Sequence, residues 1–295
     1  MVESLQDYLT TEQQRVNSYV LELLENDAML PSSLAASVLY SMRAGGKRLR
    51  PILMQAAYES FGGQGEKALP VAAALEMVHT YSLIHDDLPA MDNDDYRRGQ
   101  LTNHKKFGEA TAILAGDALL TRSFSVIGQA KELQPEEKVY LMTYLSEAAG
   151  SAGMIAGQTL DMEAEDKEST LQELEQIHNL KTGKLLTYAI VAGAYCAGAG
   201  HETLELMKKF GKYIGLIFQV QDDILDVTGD AAVIGKPVGS DEGNKKSTYP
   251  KLLGLDGAKA QMDKYVNLAN QCLLEANIET SRLQELTVYL SKRTS

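Results

Sequence analysis

Long stretches of the sequence place apolar residues at the spacing of an α-helix. Residues 4–25 show this pattern, because Leu5, Leu9, Val16 and Val20 recur at roughly helical spacing opposite a polar face. Similar segments rich in Ala, Leu, Glu and Met follow, and Gly or Pro separates them. The further predicted helices cover residues 32–44, 51–61, 66–87, 109–131, 135–164, 170–199, 201–228, 247–276 and 279–292.

The pattern as a whole predicts an all-α fold of about ten helices and no β-strand. Pro31, Pro51 and Pro135 each fall where a predicted helix begins, a position at which a missing N–H costs nothing. No long Pro-, Ser- or Gly-rich linker divides the chain, so we expect a single domain over residues 1–295. The stretch 229–246 is Gly-rich and polar, and we interpret it as a functional loop.

Composition and charge exclude several classes of protein. The 295 residues are 44% hydrophobic and 23% charged, which is typical of a globular protein. A net charge of −12 argues against nucleic acid and anionic membranes as partners, because both need a basic face. The uncharged stretch 185–200 is shorter than the roughly 18 residues of a spanning helix. With two cysteines and no secretory signal pattern, we expect a cytoplasmic protein without stable membrane insertion.

An acidic cluster, DDLPAMD at residues 86–92, is the first candidate site. Pro89 should end the preceding helix near Asp87, so that Asp86 and Asp87 occupy its last turn. Carboxylates at the electronegative end of a helix are repelled rather than stabilised. The cluster therefore favours a bound cation.

A second acidic cluster, QDDILD at residues 221–226, ends another predicted helix. Asp222 and Asp226 share one helix face, where like charges repel, and Gly229 is a natural C-cap. Mg²⁺ is usually held by one or two carboxylates together with phosphate oxygens and water. One such cluster could be a solvated helix end, but two of them favour a Mg²⁺ site that also takes a phosphate.

Basic residues next to glycine complement these acidic clusters. They occur in GGKRLRP at 45–51, RRG at 97–99, KTG at 181–183 and GK at 235–236. Arg matches phosphate oxygens with paired hydrogen bonds, and Gly lets backbone approach an anion closely. Any one string alone is more often a solvated surface. The sequence contains no His/Cys cluster for zinc, no GxGxxG pattern and no P-loop.

Taken together, the motifs resemble those of the short-chain trans-isoprenyl diphosphate synthases, most closely the bacterial farnesyl diphosphate synthases. The resemblance covers nearly the whole chain and implies the isoprenoid synthase fold, a single-domain helical bundle around a central cavity, and a homodimer. Asn93 and Tyr96 depart from the most frequent residues after the first motif, but neither is a ligand position. The matching motifs are GGKRLRP (45–51), the first aspartate-rich motif with RRG (86–99), GD (116–117), GQxxD (157–161), KTG (181–183), FQxxDDxxD (218–226), GK (235–236) and KSTYP (246–250).

The resemblance implies a role for each candidate residue. The implied ligands of several Mg²⁺ ions are Asp86, Asp87, Asp92, Asp222, Asp223 and Asp226. The implied contacts to the allylic diphosphate are Arg97, Lys181, Gln219 and Lys236. The implied isopentenyl diphosphate site consists of Lys47, Arg50, His79 and Arg98. The implied catalytic set consists of Asp86, Lys181, Thr182, Gln219 and Asp222. Without the resemblance, His79 would more often be a core residue.

The implied reaction joins dimethylallyl or geranyl diphosphate head to tail with isopentenyl diphosphate, giving (2E,6E)-farnesyl diphosphate. Breaking the allylic C–O bond moves negative charge onto diphosphate and leaves a carbocation. Cations at the leaving group and a dry apolar pocket therefore serve the transition state. The family's chain-length gate corresponds to Tyr81 and Ser82, and five residues of helix before Asp86 span about 7.5 Å. A tyrosine at position 81 implies a C15 product.

Three alternatives stay open at this point. A geranylgeranyl diphosphate synthase of the same family would share the mechanism and make a C20 product. A terpene cyclase of the same fold needs no isopentenyl diphosphate site, and the intact GGKRLRP and RRG motifs speak against it. A non-catalytic subunit of a prenyl synthase usually loses its aspartates, and both clusters are intact. The basic tail, residues 290–295, either closes over the site or frays.

Overall fold

A computed structural model describes residues 4–27, 30–165, 167–228, 247–278 and 281–293, and the side chain of residue 281 is outside that description. The predicted loop 229–246, with Gly229 and Lys236, lies outside the described residues. The predicted all-α fold is confirmed. The helices and strands are α1 Leu5–Glu25, α2 Ser32–Arg43, α3 Leu49–Ser60, α4 Leu69–Asp86, β1 Tyr96–Arg97, β2 Gln100–Leu101, α5 Asn103–Phe107, α6 Glu109–Gln129, α7 Pro135–Ala149, α8 Met154–Glu163, α9 Leu171–His178, a π-helical turn Asn179–Gly183, α10 Lys184–Cys196, α11 His201–Thr228, α12 Tyr249–Ala276 and α13 Ser281–Lys292.

Two of the predicted helices are divided in the structure. The helix expected over 135–164 becomes α7 and α8. Helix α7 ends at Ala149, and Gly153, the N-cap of α8, is non-helical with φ −136° and ψ −126°. The helix expected over 170–199 is interrupted by the π-helical turn between α9 and α10. A π-helical turn holds its residues through i to i+5 hydrogen bonds, so periodicity alone does not reveal it.

A short hairpin replaces the strand-free segment that the sequence predicted after the first acidic cluster. Tyr96 lies opposite Leu101 and Arg97 lies opposite Gln100. The two turn residues between them, Arg98 and Gly99, have φ values of 54° and 76°. Two successive left-handed residues are typical of the type I′ turn, whose twist matches that of paired strands.

The chain divides into two compact units, one of residues 1–55 with 64–142 and the other of residues 56–63 with 143–295. The single domain expected over 1–295 stays a prediction. In the first unit α4 packs against α1, α2 and α6. Helix α4 is apolar almost all round and is buried along most of its length, as a central helix should be.

In the second unit, α11 packs against α9, α10, α12 and α13, and the π-helical turn contacts α8, α9, α10 and α11. The buried positions of α11 include Phe210, Ile214, Ile217 and Val220, which recur at helical spacing. The unit is therefore built around α11, and the π-helical turn packs against four of the unit's helices with only Gly183 buried.

One helix within the described ranges, α6, is long and apolar enough to cross a membrane, judged by length and composition alone. Of its 18-residue apolar segment, 39% is buried inside the protein. A core helix of a globular protein meets the same criterion, so this is weak evidence for a membrane span.

Candidate functional site

The first acidic cluster lies where the sequence predicted it, at the end of α4. The helix ends at Asp86, and Asp87 is its C-cap. The chain then folds back on itself, because the Asp92 N–H donates to the Asp86 carbonyl oxygen at 2.8 Å. Asp86 is half-buried and Asp92 is exposed. The turn between α4 and β1 thus returns Asp92 to the helix end that carries Asp86.

Asp87 is held by Arg97 of β1. The Asp87 side chain is buried, and its Oδ1 accepts from Arg97 Nε at 2.7 Å and lies 2.5 Å from Nη2. Burial raises the pKa of Asp87, and the hydrogen bond and charge of Arg97 act in the opposite direction. Two predicted site residues therefore form one ion pair, in which Asp87 fixes the orientation of Arg97. A Mg²⁺-ligand role for Asp87 stays a prediction.

Arg48 was not among the predicted site residues, yet it organises the GGKRLRP segment. Its side chain is buried and donates from Nη1 to Glu76 Oε1 at 2.6 Å, from Nε to Asn17 Oδ1 at 2.7 Å and from Nη2 to the Met42 carbonyl oxygen at 2.5 Å. The segment is thereby fastened to α1, α2 and α4. Glu76 in an otherwise apolar helix is the sequence signal for such a buried partner, because a buried charge needs one.

Three of the predicted isopentenyl diphosphate residues form a cationic group in the first unit. His79 Nε2 lies 3.2 Å from Arg50 Nη1, and because Arg can only donate, this nitrogen is the acceptor. Burial lowers the pKa of His79 well below its usual range, and Arg50 and Arg98 lower it further. Neutral His79 therefore accepts a hydrogen bond from the Arg50 guanidinium, and it adds no charge beside Arg50 and Arg98. Lys47, the fourth predicted residue, is exposed.

Arg98 sits against the glycines that open the GGKRLRP segment. It donates to the Gly45 carbonyl oxygen, and a Cβ at Gly46 would lie 2.6 Å from the Arg98 guanidinium carbon. Gly46 has φ 130° and Arg98 has φ 54°, so both occupy backbone conformations that L side chains rarely adopt. Because Gly46 has no side chain, the Arg98 guanidinium can occupy the space that a Cβ at position 46 would fill.

Tyr81, the predicted chain-length gate, is buried in α4. Its ring meets His85 edge-on at 5.7 Å, and its hydroxyl has no hydrogen-bond partner among the described residues. Burial, together with the charge of Asp86, raises the pKa of Tyr81 to about 12. Tyr81 is therefore a neutral, buried aromatic residue five residues before Asp86, and its role as a gate stays a prediction. Ser82, the second predicted gate residue, donates from Oγ to the His79 carbonyl oxygen at 2.9 Å.

A cavity of about 160 Å³ in the second unit brings four predicted site residues together. Lys181 and Thr182 of the π-helical turn and Gln219 of α11 line this cavity. The fourth predicted residue is Asp223 of α11, an implied Mg²⁺ ligand, and Asp161 of α8 also lines the cavity. An ammonium group, a hydroxyl and an amide around one cavity suit a phosphate-bearing ligand. We call this space the lysine cavity.

Two glycines bring neighbouring helices against the backbone of the π-helical turn. A Cβ at Gly157 of α8 would lie 2.1 Å from the Lys181 nitrogen, and one at Gly215 of α11 would lie 2.7 Å from the Gly183 Cα. Real Cβ atoms are almost never found this close to backbone. Both helices therefore contact the turn directly, and this packing fixes the position of the Lys181 backbone.

The second acidic cluster is engaged by other parts of the second unit. Buried Asp223 accepts from the Tyr249 N–H at 2.8 Å, and so caps the first turn of α12. Asp222 forms an ion pair with Arg293, whose guanidinium lies 4.1 Å from the Phe218 ring centroid and donates to the Phe218 carbonyl oxygen at 3.1 Å. Asp226 is half-buried. The basic tail, residues 290–295, indicates that a positive side chain could reach this cluster, but the sequence does not single out Arg293.

The carboxylates fit Mg²⁺ in their chemistry, although no preformed cage occurs in the described part of the chain. Within those residues, no three His, Cys, Asp or Glu side chains lie close enough together to hold an ion. Asp86, Asp92, Asp222 and Asp226 nevertheless offer hard oxygen donors at two helix ends. Mg²⁺ commonly takes only one or two carboxylates and completes its shell with phosphate oxygens and water.

Comparison with known proteins assigns the family. Residues 31–283 match the polyprenyl synthetase family. The chain belongs to the polyprenyl synthetases. This polyprenyl synthetase is 46% identical over 295 residues to a farnesyl diphosphate synthase of Bacillus subtilis, an alignment that covers 99% of each chain. It is also 46% identical over 273 residues to a chloroplastic geranylgeranyl pyrophosphate synthase of Catharanthus roseus, covering 90% of this chain and 76% of the relative.

A solved structure supports the same assignment. The crystal structure of a geranyltransferase from Legionella pneumophila matches this polyprenyl synthetase with a TM-score of 0.85 and 33% identity, covering 97% of this chain and 96% of that one. The isoprenoid synthase fold expected from the motifs is confirmed.

Proposed function

We propose that this polyprenyl synthetase is a Mg²⁺-dependent trans-prenyltransferase that makes (2E,6E)-farnesyl diphosphate from dimethylallyl or geranyl diphosphate and isopentenyl diphosphate. The observation that carries this proposal is the lysine cavity. There, Lys181 and Gln219, two predicted contacts to an allylic diphosphate, come together with Thr182 of the predicted catalytic set. The full-length similarity to the Bacillus subtilis farnesyl diphosphate synthase supports a C15 product over a C20 one.

The side chains present suit an ionisation and condensation reaction. When bound, Mg²⁺ neutralises charge that develops on the leaving diphosphate. Lys181 and Arg97 hold diphosphate oxygens by charge-assisted hydrogen bonds, and Asp87 keeps the Arg97 guanidinium oriented. Arg50 and Arg98 bind the second diphosphate while His79 stays neutral. The isopentenyl double bond attacks the allylic cation, and the released diphosphate takes the proton, so the reaction needs no side-chain nucleophile.

The direct test is a product assay with the purified protein. It is incubated with Mg²⁺, isopentenyl diphosphate and either dimethylallyl or geranyl diphosphate, and the dephosphorylated products are weighed by mass spectrometry. We expect a single C15 alcohol. A C20 alcohol would keep the mechanism and reject the product length. No elongation by a folded sample would favour the non-catalytic subunit.

Product length should respond to the volume of residue 81. Replacing Tyr81 with Ala removes a buried ring five residues before Asp86, and we expect the main product to change from C15 to C20 or longer. The same mass-spectrometric assay checks it. Tyr81→Phe is the matched control, since it removes only a hydroxyl that has no partner in the described part of the chain, and it should keep the C15 product. A C15 product from Tyr81→Ala would place the gate elsewhere.

We also propose that the protein is a homodimer that associates through α6. Ile113 and Leu114 on this helix are 43% and 57% exposed, and burying them against a second copy would remove apolar surface from water. Leu114→Glu should convert the dimer to a monomer in light scattering coupled to size exclusion. Leu274→Glu, at a 72% exposed leucine of α12, is the control and should stay dimeric. A wild type of monomeric mass would reject this proposal.

We further propose a cytoplasmic location without stable membrane insertion. Cys196 and Cys272 are both buried and form no disulfide, which supports a reducing compartment. The net charge of −12 supports the absence of nucleic-acid partners.

A further inference from the structure

Asp161 forms an ion pair with Lys181 at the edge of the lysine cavity. The Asp161 Oδ2 atom lies 2.7 Å from Lys181 Nζ, and the two side chains are 20% and 29% exposed. Both residues line the same cavity as Thr182 and Gln219. A lysine carries four rotatable bonds and a compact, strongly hydrated charge, so without a partner its ammonium has no fixed direction.

The placement of Asp161 depends on the close approach of α8 to the π-helical turn. Gly157 lies one helical turn before Asp161, so both residues share one face of α8. That face is pressed against the Lys181 backbone, where a Cβ at Gly157 would lie 2.1 Å from the Lys181 nitrogen. The close contact at Gly157 thus fixes the Lys181 backbone, and Asp161 fixes the Lys181 ammonium group.

The geometry points to Asp161 as a positioning residue that pre-orients the Lys181 ammonium for the allylic diphosphate. This inference rests on the proposed function, because that function makes Lys181 a diphosphate contact. Asp161 acts through Lys181 and does not touch the substrate itself. Pre-orientation lowers the ordering cost when the diphosphate binds and keeps the ammonium aligned as negative charge develops on the leaving group.

Steady-state kinetics of Asp161→Ala with geranyl and isopentenyl diphosphate provide the first test. We expect kcat to fall about 10- to 100-fold, because a misplacement of about 1 Å can have an effect of that size. The KM for isopentenyl diphosphate should change by less than about twofold, since Lys181 does not contact that substrate. Asp161→Asn, which keeps a neutral acceptor, should be intermediate. Unchanged kcat in Asp161→Ala, with the wild type active, would overturn the inference.

A double-mutant cycle separates positioning from a direct or structural role. If Asp161 acts only through Lys181, adding Asp161→Ala to Lys181→Ala should cause no further loss of kcat. A further loss would mean that Asp161 acts on its own and would overturn the inference. Glu205→Ala is the matched control, because Glu205 and Lys208 form an exposed pair at 2.6 Å on α11. This control should keep the wild-type kcat.

Binding of inorganic diphosphate distinguishes failure of this inference from failure of the proposed function. Isothermal titration with Mg²⁺ and inorganic diphosphate should show Asp161→Ala binding about three- to tenfold more weakly than wild type, because the lysine must then be ordered on binding. The same substitution should have no effect in the Lys181→Ala background. If the wild type forms no prenyl product but this binding pattern holds, only the proposed function fails. Equal or tighter binding by Asp161→Ala would overturn the positioning role.

Discussion

Replacing either Asp86 or Asp222 with alanine is expected to lower kcat about 10³-fold, because each change removes a proposed oxygen ligand for Mg²⁺ at a helix end. A lost cation leaves the leaving diphosphate with uncompensated charge, and each tenfold loss in rate corresponds to about 1.4 kcal/mol of transition-state stabilisation. Steady-state prenyl transfer at saturating Mg²⁺ measures the effect.

The control for this prediction lies in the same segment of the chain. Asp95 is exposed and pairs with Lys105 at 2.7 Å, so Asp95→Ala removes an equal charge outside the proposed ligand set. It should keep activity within about threefold of wild type, as expected for a surface pair of little energetic weight. Thermal unfolding of each variant confirms that the protein is folded. A variant at position 86 or 222 that keeps more than a tenth of the activity would remove that aspartate from the ligand set.

Substituting Arg48 with methionine is expected to lower the free energy of unfolding by about 3–5 kcal/mol, because it leaves the Glu76 carboxylate buried without its charged partner. Both side chains are 3% exposed, so water does not replace the lost hydrogen bond. Urea denaturation at constant pH and protein concentration measures the change from the shift in midpoint.

Two further variants isolate the buried charge as the cause. Arg43 and Glu25 form a pair at 2.5 Å with side chains 55% and 47% exposed, so Arg43→Met should change the unfolding free energy by less than about 1 kcal/mol. Adding Glu76→Leu to Arg48→Met should restore most of the stability, since apolar replacement of a whole buried pair is often neutral or stabilising. Equal losses for Arg43→Met and Arg48→Met would contradict this account.

Local signals in the sequence predicted the features that depend on a few neighbouring residues. Pro89 placed the end of α4 at Asp86 and Asp87, because a proline acts on the residues immediately before it. The sequence does not predict the Arg98–Gly99 turn although Gly99 carries its signal, because a glycine next to arginines also favours an anion contact. Short strands of two residues also carry no alternation that a pattern could detect.

Features that depend on packing between distant residues could not be predicted in the same way. The basic string GGKRLRP does not tell which side chain turns inward, and only the structure shows that Arg48 reaches Glu76. The pairing of Asp222 with Arg293 joins residues 71 positions apart. Sequence motifs therefore identified the residue types of the candidate site, whereas their partners follow from the fold.

The π-helical turn at Asn179–Gly183 contains one residue more than regular α-helix would place between α9 and α10. Because the wider turn absorbs that residue locally, α9 and α10 keep the rotational phase of one continuous helix. Deleting one residue from the turn would therefore restore regular α-helix geometry without turning the buried side chains of α10 away from their neighbours. It would instead change the backbone that Gly157 and Gly215 contact, and with it the position from which the Lys181 side chain extends.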